Sequence, residues 1–369
     1  MTSLLVLALL AQPCPTRPSW PTTDWPVGDL QAVRTNRAAQ VKALEDYLLT
    51  LTGEDSERKG LRTDALLIVK SGTIIYEAYA RGWRANQRHI SWSVAKSVTT
   101  ALTGVAVLKG ALTIDQSICE YVPAREELCP ITIRHMMEFG SGMHWQEAYE
   151  NQTYQYSSVI SMLFGEGRTD NTTFVLSHRK AHEPGTTFNY STGEAALLSE
   201  IVRQAGIKKG FDKDWFWADF FDRIGMKSAV LSGDIKGAPG GGSYVFATAR
   251  DFARFGYLYL NDGCWEDRRV LPEGWVKSST TMSETFRVGA PDNEDTPNGW
   301  MIWLNEVAPK KNARPWKDAP PDAYSGIGHW GQFVAVVPSE DLVIVRLGDD
   351  RNESVDLNKL IPMAIEVAK

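Results

Sequence analysis

Apolar positions along this chain change period several times, and each change marks an element. Between residues 36 and 52, Val41, Leu44, Tyr47 and Leu48 recur at helical spacing, which predicts a helix. The stretch ALLIVKSGTIIYEAYA (65–80) reads as two β-rich runs about Lys70-Ser71-Gly72-Thr73, a hairpin. SWSVAKSVTTALTGVAVLKGAL (91–112) is apolar on most of its surface and predicts a buried helix. From about 115 to 230 the chain alternates helical segments and loops, with an amphipathic helix opening near Gly193. GAPGGGSYVFATARDFARFGYLYL (237–260) passes from a glycine loop to a strand and then a helix, with Thr248 placed to cap it. GQFVAVVPSEDLVIVRLG (331–348) is a second hairpin about Pro338-Ser339-Glu340-Asp341, and a last helix begins near Ser354.

With hairpins near both ends and helices between, the economical fold is α/β of the α+β type. One antiparallel sheet is built from both terminal regions and flanked by helices, beside a mostly helical lobe. The expected division is a possible signal segment and extended lead-in over 1–30, then one unit over 31–369. Within that unit the α/β lobe takes about 31–95 and 240–369, and the helical lobe about 96–239. A cleft between lobes is where a ligand site is expected.

The bulk numbers narrow the class. At 369 residues the chain can bury a large core, and its 43% apolar and 23% charged residues are ordinary for a globular protein. The net charge is −6 and no Lys/Arg run exceeds two, which argues against a nucleic-acid partner. The apolar run at 4–11 is too short to span a bilayer. It resembles the core of a secretory signal, without a preceding Lys or Arg, so the expected location is secreted or periplasmic, with the cytoplasm as the alternative. No later segment reads as an integral membrane span. Of the four cysteines, Cys119 and Cys129 bracket a short loop that a bridge could close; two buried thiols fit the same letters.

The chemistry concentrates at Ser93-Val94-Ala95-Lys96. On a helix, positions three apart share a face, so Ser93 and Lys96 point into one space. Serine needs a base, and a desolvated lysine gives up its proton readily enough to be one. A serine at a helix start also offers a free backbone N–H for an oxyanion. A capping serine and a snorkelling lysine would give the same four letters. His178 and His182, four apart in HRKAHE, have the spacing of a metal pair but no evident third ligand, and read as a solvated helix end. No metal or cofactor is expected. Trp145 and Glu147 are expected to border the cleft, with Trp145 packing on a substrate or on the lobe. No serine sits in G-x-S-x-G, so the usual α/β-hydrolase elbow is absent.

Five blocks, SWSVAKSVTTAL, ITIRHMMEFGSGMHW, EPGTTFNYSTGEAALLSEIV, ATARDFARFGYLYLNDG and GHWGQFVAVVPSEDLVIVRLG, occur in order. In order and spacing they resemble the serine β-lactamase-related hydrolases, over about residues 60–365. This group takes in class C β-lactamases, penicillin-binding esterases, D-aminopeptidases and 6-aminohexanoate-dimer hydrolases. The chain is most similar to the esterase and dimer-hydrolase branch. The resemblance implies a β-lactamase/transpeptidase-like fold and a serine hydrolase acting on a small-molecule ester or amide through an acyl-serine. It implies Ser93 as nucleophile, Lys96 as base and Tyr190 as a second basic group that relays a proton to the leaving group. Thr192 stands where the family's Tyr-x-Asn element has Asn, so a side-chain hydrogen bond there, to substrate or to Lys96, rests on a hydroxyl instead of an amide. The third family element falls within SGIGHWGQ (325–332), as Gly326-Ile327-Gly328 or as His329-Trp330-Gly331. The first register is favoured; it gives His329 N–H to the oxyanion beside Ser93 N–H, whereas the second gives Gln332 N–H. Gly328 and Trp330 are then expected at the substrate, with Trp145 and Thr192. Gly326 and Ile327 offer neither the basic residue nor the hydroxyl that holds a penicillin carboxylate, so β-lactamase activity is expected to be weak or absent. The alternatives are a D-amino-acid peptidase or transpeptidase and a non-catalytic penicillin-binding-like sensor.

Overall fold

The two hairpins meet in one sheet. In the computed structural model, which describes residues 13–51, 54–150 and 156–369, the strands are β1 (Thr63–Lys70), β2 (Thr73–Tyr79), β3 (Trp303–Leu304), β4 (Tyr324–Gly328), β5 (Gln332–Val337) and β6 (Leu342–Gly348). Their order is β2-β1-β6-β5-β4-β3, every neighbour antiparallel. Ile68 faces Ile344 on one side and Tyr76 on the other, which joins the first hairpin to the second at the centre of the sheet. The signal-like run at 4–11 lies outside the described residues.

Alternation explains why the central strands read as continuous apolar runs. Ala65, Leu67 and Val69 of β1, with Val343 and Val345 of β6, face one core; Leu66, Ile68, Leu342 and Ile344 face another. Each of those fully buried Leu, Ile and Val side chains contributes about 1.5–3 kcal/mol. The second core is closed by α1 (Ala38–Leu48) and the C-terminal helix Leu357–Ala368, through Val41, Leu44, Leu360 and Ile361. The first is closed by α2 (Val94–Leu108), α3 (Thr192–Lys209) and α4 (Ala249–Leu260), with the helical lobe beyond. Thr248 caps α4, its side chain accepting from Asp251 N.

Three features differ from the sequence expectations. The helix expected over 36–52 is α1 alone, preceded by a separate helix Leu30–Asn36. The strand Val245–Ala247 stays out of the main sheet; it pairs with His89–Ile90 and Val230–Leu231 in a small sheet of its own. Two-residue strands carry no period, so nothing in the letters marked them. Cys14 and Cys264, 250 positions apart, are bridged, a pairing that spacing does not suggest, while for Cys119 and Cys129 the bridge, one of the two readings left open, is the one present. Among the described residues no helix is long and apolar enough to cross a membrane.

The turn that joins β4 to β5 carries unusual reinforcement. Arg346 and Asp350, both fully buried, form a bidentate pair at 2.7 and 2.8 Å. Arg346 also donates to Gly331 O at 2.8 Å, and the Gln332 amide donates to His329 O, Trp330 O and Gly348 O. Trp330 and Gly331 both have positive φ, 59° and 84°. Left-handed backbone at a tryptophan costs about 1–2 kcal/mol, and this network offsets it.

Candidate active site

Ser93 enters α2 from a constrained approach. The small sheet holds Ser91, whose N–H donates to Val245 O at 2.8 Å. Trp92 follows with φ 44°, also left-handed, and turns the chain sharply into the helix. Ser93 is the N-cap residue, yet its side chain makes no capping hydrogen bond. Lys96 does not snorkel; it is 1% exposed. The capping-and-snorkelling reading of S-x-x-K therefore does not describe this pair.

Lys96 Nζ donates to Ser93 Oγ at 2.8 Å, to Thr192 Oγ1 at 2.8 Å and to Gly242 O at 2.9 Å. Those three bonds exhaust the protons of an ammonium. Burial pushes the Lys96 pKa down from 10.5 to about 8, against the opposing pull of the Glu147 carboxylate. The Tyr190 hydroxyl meets Ser93, and its ring centroid lies 4.9 Å from Lys96 Nζ. Burial, reinforced by Glu147, raises the Tyr190 pKa far above the ordinary phenol value, so it stays protonated. Its ring stacks on Trp303 at 5.5 Å and packs on Phe139 at 4.8 Å.

Ser93 and Tyr190 open into a cavity of about 960 Å³, lined also by Tyr149, Trp303, Ile327, Gly328, His329 and Trp330. Gly328 is required there: a Cβ would sit 2.3 Å from Ser91 O. A Cβ at Gly326 would come within 3.2 Å of Ser97 on α2, so the glycines let β4 run close beneath the helix.

The strand pairing sets which backbone groups face the cavity. Trp303 pairs with Ser325, and Asn305 N donates to Ala323 O at 3.0 Å. Successive residues of a strand turn their N–H groups to opposite edges, so Ile327 faces the same edge as Ser325. Because β3 ends beside Ser325, the Ile327 N–H is left on the open edge, next to the Ser93 cavity. The expectation had put His329 in that place. His329 instead follows the strand, in the turn. Its ring stacks on Tyr149 at 4.5 Å, Nε2 lies 3.0 Å from Glu150 Oε1, and burial holds its pKa below the usual value. The side chain of Trp330 also reaches Glu150, its Nε1 donating at 3.0 Å.

Two expected substrate contacts do not reach the cavity. Thr192 is fully buried, at the start of α3, and serves Lys96. Trp145 packs inside the helical lobe, against Phe174, His178 and the Cα of Gly193, with Nε1 donating to Glu147 Oε2 at 2.6 Å. Glu147 lies behind the wall instead of bordering the cleft; the residue of that segment that lines the cavity is Tyr149, which the sequence reading missed. His178 follows the helix Asn171–Ser177 and its ring packs on Trp145, so the His178–His182 spacing is not carried by a helix.

Comparisons with known proteins bear on the family and the fold. A curated relative, the 6-aminohexanoate-dimer hydrolase of Paenarthrobacter ureafaciens, is 26% identical over 301 residues, covering 77% of this chain and 72% of the relative. A solved Bacillus anthracis structure, named provisionally as a 6-aminohexanoate-dimer hydrolase, superposes with a TM-score of 0.71 at 18% identity, covering 97% of this chain and 90% of that one. A D-stereospecific amidohydrolase from Streptomyces superposes with a TM-score of 0.56 at 13% identity, over 85% and 94% of the two chains. The two structures establish likeness of fold. The beta-lactamase family model matches residues 44–367. With a buried serine–lysine pair at the start of a helix beside an open strand edge, and a family match over most of its length, this chain belongs to the beta-lactamase family.

Proposed function

We propose that the chain is a serine hydrolase that cleaves an uncharged carboxylic ester or amide through an acyl-Ser93 intermediate. The observation that carries this is the 2.8 Å bond between Lys96 Nζ and Ser93 Oγ, with Lys96 buried and its pKa near 8. Neutral Lys96 takes the Ser93 proton as Oγ bonds to the substrate carbonyl carbon. The carbonyl oxygen becomes an oxyanion, held by the N–H groups of Ser93 and, from the open edge of β4, Ile327. As the intermediate collapses and its C–O or C–N bond breaks, Tyr190 passes its proton to the departing group and is resupplied from Lys96. A protonated Tyr190 suits that donor role better than a tyrosinate base. Water then attacks the acyl-enzyme by the same proton path in reverse. Two disulfides favour a secreted or periplasmic place for the protein. The relatives' names add an amide between linear units as one substrate to try.

The test is turnover of p-nitrophenyl butyrate across pH 6–10. Only neutral Lys96 accepts the serine proton, so kcat/KM is expected to rise about tenfold per pH unit below pH 8 and to level above about pH 9. A flat profile, or no turnover at any pH, would count against the assignment.

Penicillin-like substrates should fare poorly. Gly326 and Ile327 offer no side-chain partner to a substrate carboxylate, and each missing charge-assisted bond costs about 1.5–3 kcal/mol. Nitrocefin is expected to show a kcat/KM at least about 100-fold below that of p-nitrophenyl butyrate. Comparable values would mean that another part of the cavity anchors the carboxylate.

A further inference from the structure

Thr192 stands where the family resemblance leads one to expect an asparagine, and it touches Lys96 but not the cavity. A threonine hydroxyl is ambiguous: it can donate or accept. Beside a lysine that must present a lone pair to Ser93, that ambiguity matters.

The surroundings remove it. Thr192 Oγ1 donates to Glu147 Oε1, a short contact, and Thr192 N–H donates to Glu147 Oε2 at 2.9 Å. Trp145 Nε1 donates to the same carboxylate at 2.6 Å and Tyr149 OH at 2.6 Å. Among the described residues Glu147 thus accepts four hydrogen bonds, none of them from a cation. With its one proton committed to Glu147, the Thr192 hydroxyl can only accept from Lys96.

We propose that Glu147 is a positioning residue that acts on Lys96 through Thr192, fixing the hydroxyl as an acceptor so that the amine's lone pair is aimed at Ser93. A neutral amine has two protons. Thr192 Oγ1 and Gly242 O take both, and the third tetrahedral direction, towards Ser93 Oγ, is left as the lone pair. Without Glu147, the Thr192 hydroxyl is free to turn and donate its proton to that lone pair, which would occupy the base. The carboxylate has a second effect of opposite sign: its charge favours protonated Lys96. The groups that face Lys96 are Ser93 on its own element, Thr192 and Tyr190 at the start of α3, the Gly242 carbonyl from the glycine loop, and Glu147 behind Thr192. The inference rests on the acyl-serine reading above.

The experiment is the pH profile of kcat/KM for p-nitrophenyl butyrate with the wild type, Glu147→Gln, Thr192→Val, Thr192→Ser and Ser93→Ala, each with its circular dichroism compared to the wild type. Glu147→Gln is expected to lower the high-pH plateau at least about tenfold and to move the rising limb about one unit to lower pH, because loss of the negative charge lets Lys96 deprotonate sooner. The limb moves with the charge alone, so the plateau decides: a folded Glu147→Gln whose plateau stays within about twofold of the wild type overturns the proposal, and recovery by Thr192→Ser relative to Thr192→Val separates positioning from packing. Should Glu147→Gln fail to fold, the threonine variants decide. Thr192→Val is expected to lose about 100-fold, with Thr192→Ser recovering at least about tenfold of that loss. Valine matching wild type, or serine no better than valine, overturns it. Full turnover by Ser93→Ala would instead sink the acyl-serine reading, and no turnover by the wild type would remove both.

Discussion

Ser93→Ala is expected to lower kcat/KM for p-nitrophenyl butyrate by about 10⁴–10⁶-fold while leaving the protein folded. The substitution removes one oxygen. That oxygen makes no helix-capping bond, and its neighbours are Lys96 and Tyr190. The start of α2 is held from elsewhere: Ser91 by the small sheet, and Ser97 Oγ by Met301 O at 2.7 Å. Lys96 keeps two of its three acceptors, so the cost in stability should stay within about 1–2 kcal/mol. A urea melt beside the kinetics separates the two effects. Residual activity within tenfold of the wild type, in a folded variant, would remove Ser93 from the reaction and leave Lys96 as a buried cation without a task.

The largest effect on stability is expected at Arg346→Met. Arg346 and Asp350 are fully buried, and methionine keeps much of the volume while taking away the charge. Asp350 would then keep the Arg62 N–H, at 2.7 Å, but lose its bidentate cation, and removing one partner of a buried pair costs about 3–5 kcal/mol. The loss extends to the site, because Arg346 also holds Gly331 O in the turn that carries His329 and Trp330. A fall of that size in the urea-extrapolated unfolding free energy, with kcat/KM reduced in the fraction that remains folded, is the expected result. A change below about 1 kcal/mol would mean that the Gln332 amide and the backbone hold the turn without the ion pair.

Much of this arrangement was legible in the letters, for identifiable reasons. β1, β2, β5 and β6 announce themselves because each is a β-rich run bounded by a short turn. Ser93 and Lys96 are legible because three-residue spacing on a helix fixes a shared face whatever the tertiary fold. The strand that supplies the open edge was harder. Which N–H of SGIGHWGQ faces the cavity depends on Trp303 pairing with Ser325, and β3 is two residues long with no period to detect. Glu147 was visible as an acid near the cleft. Its part could not be read, since it depends on the segment 141–150 folding over the start of α3. Trp145 misled for the same reason: an aromatic near a cleft and an aromatic behind its wall have identical sequence surroundings. The Cys14–Cys264 pairing lies beyond local reading altogether.

The joining of the two hairpins at the centre of the sheet also bears on how the chain is born. Thr63 and Arg346 touch although 283 positions separate them, so β1 has no partner on its inner edge until almost the whole polypeptide has been made. At about 5–20 residues per second, the ribosome leaves that edge waiting for a time on the order of tens of seconds. Long-range strand pairing of this kind is slow to nucleate, because the entropy of closing the loop is lost before any contact is gained. The first hairpin therefore emerges with an apolar, unpaired flank, which is the state that holding chaperones recognise. A sheet sewn from both ends of a chain leaves that flank exposed to chaperones, or to a second unfinished copy, until its last strand appears.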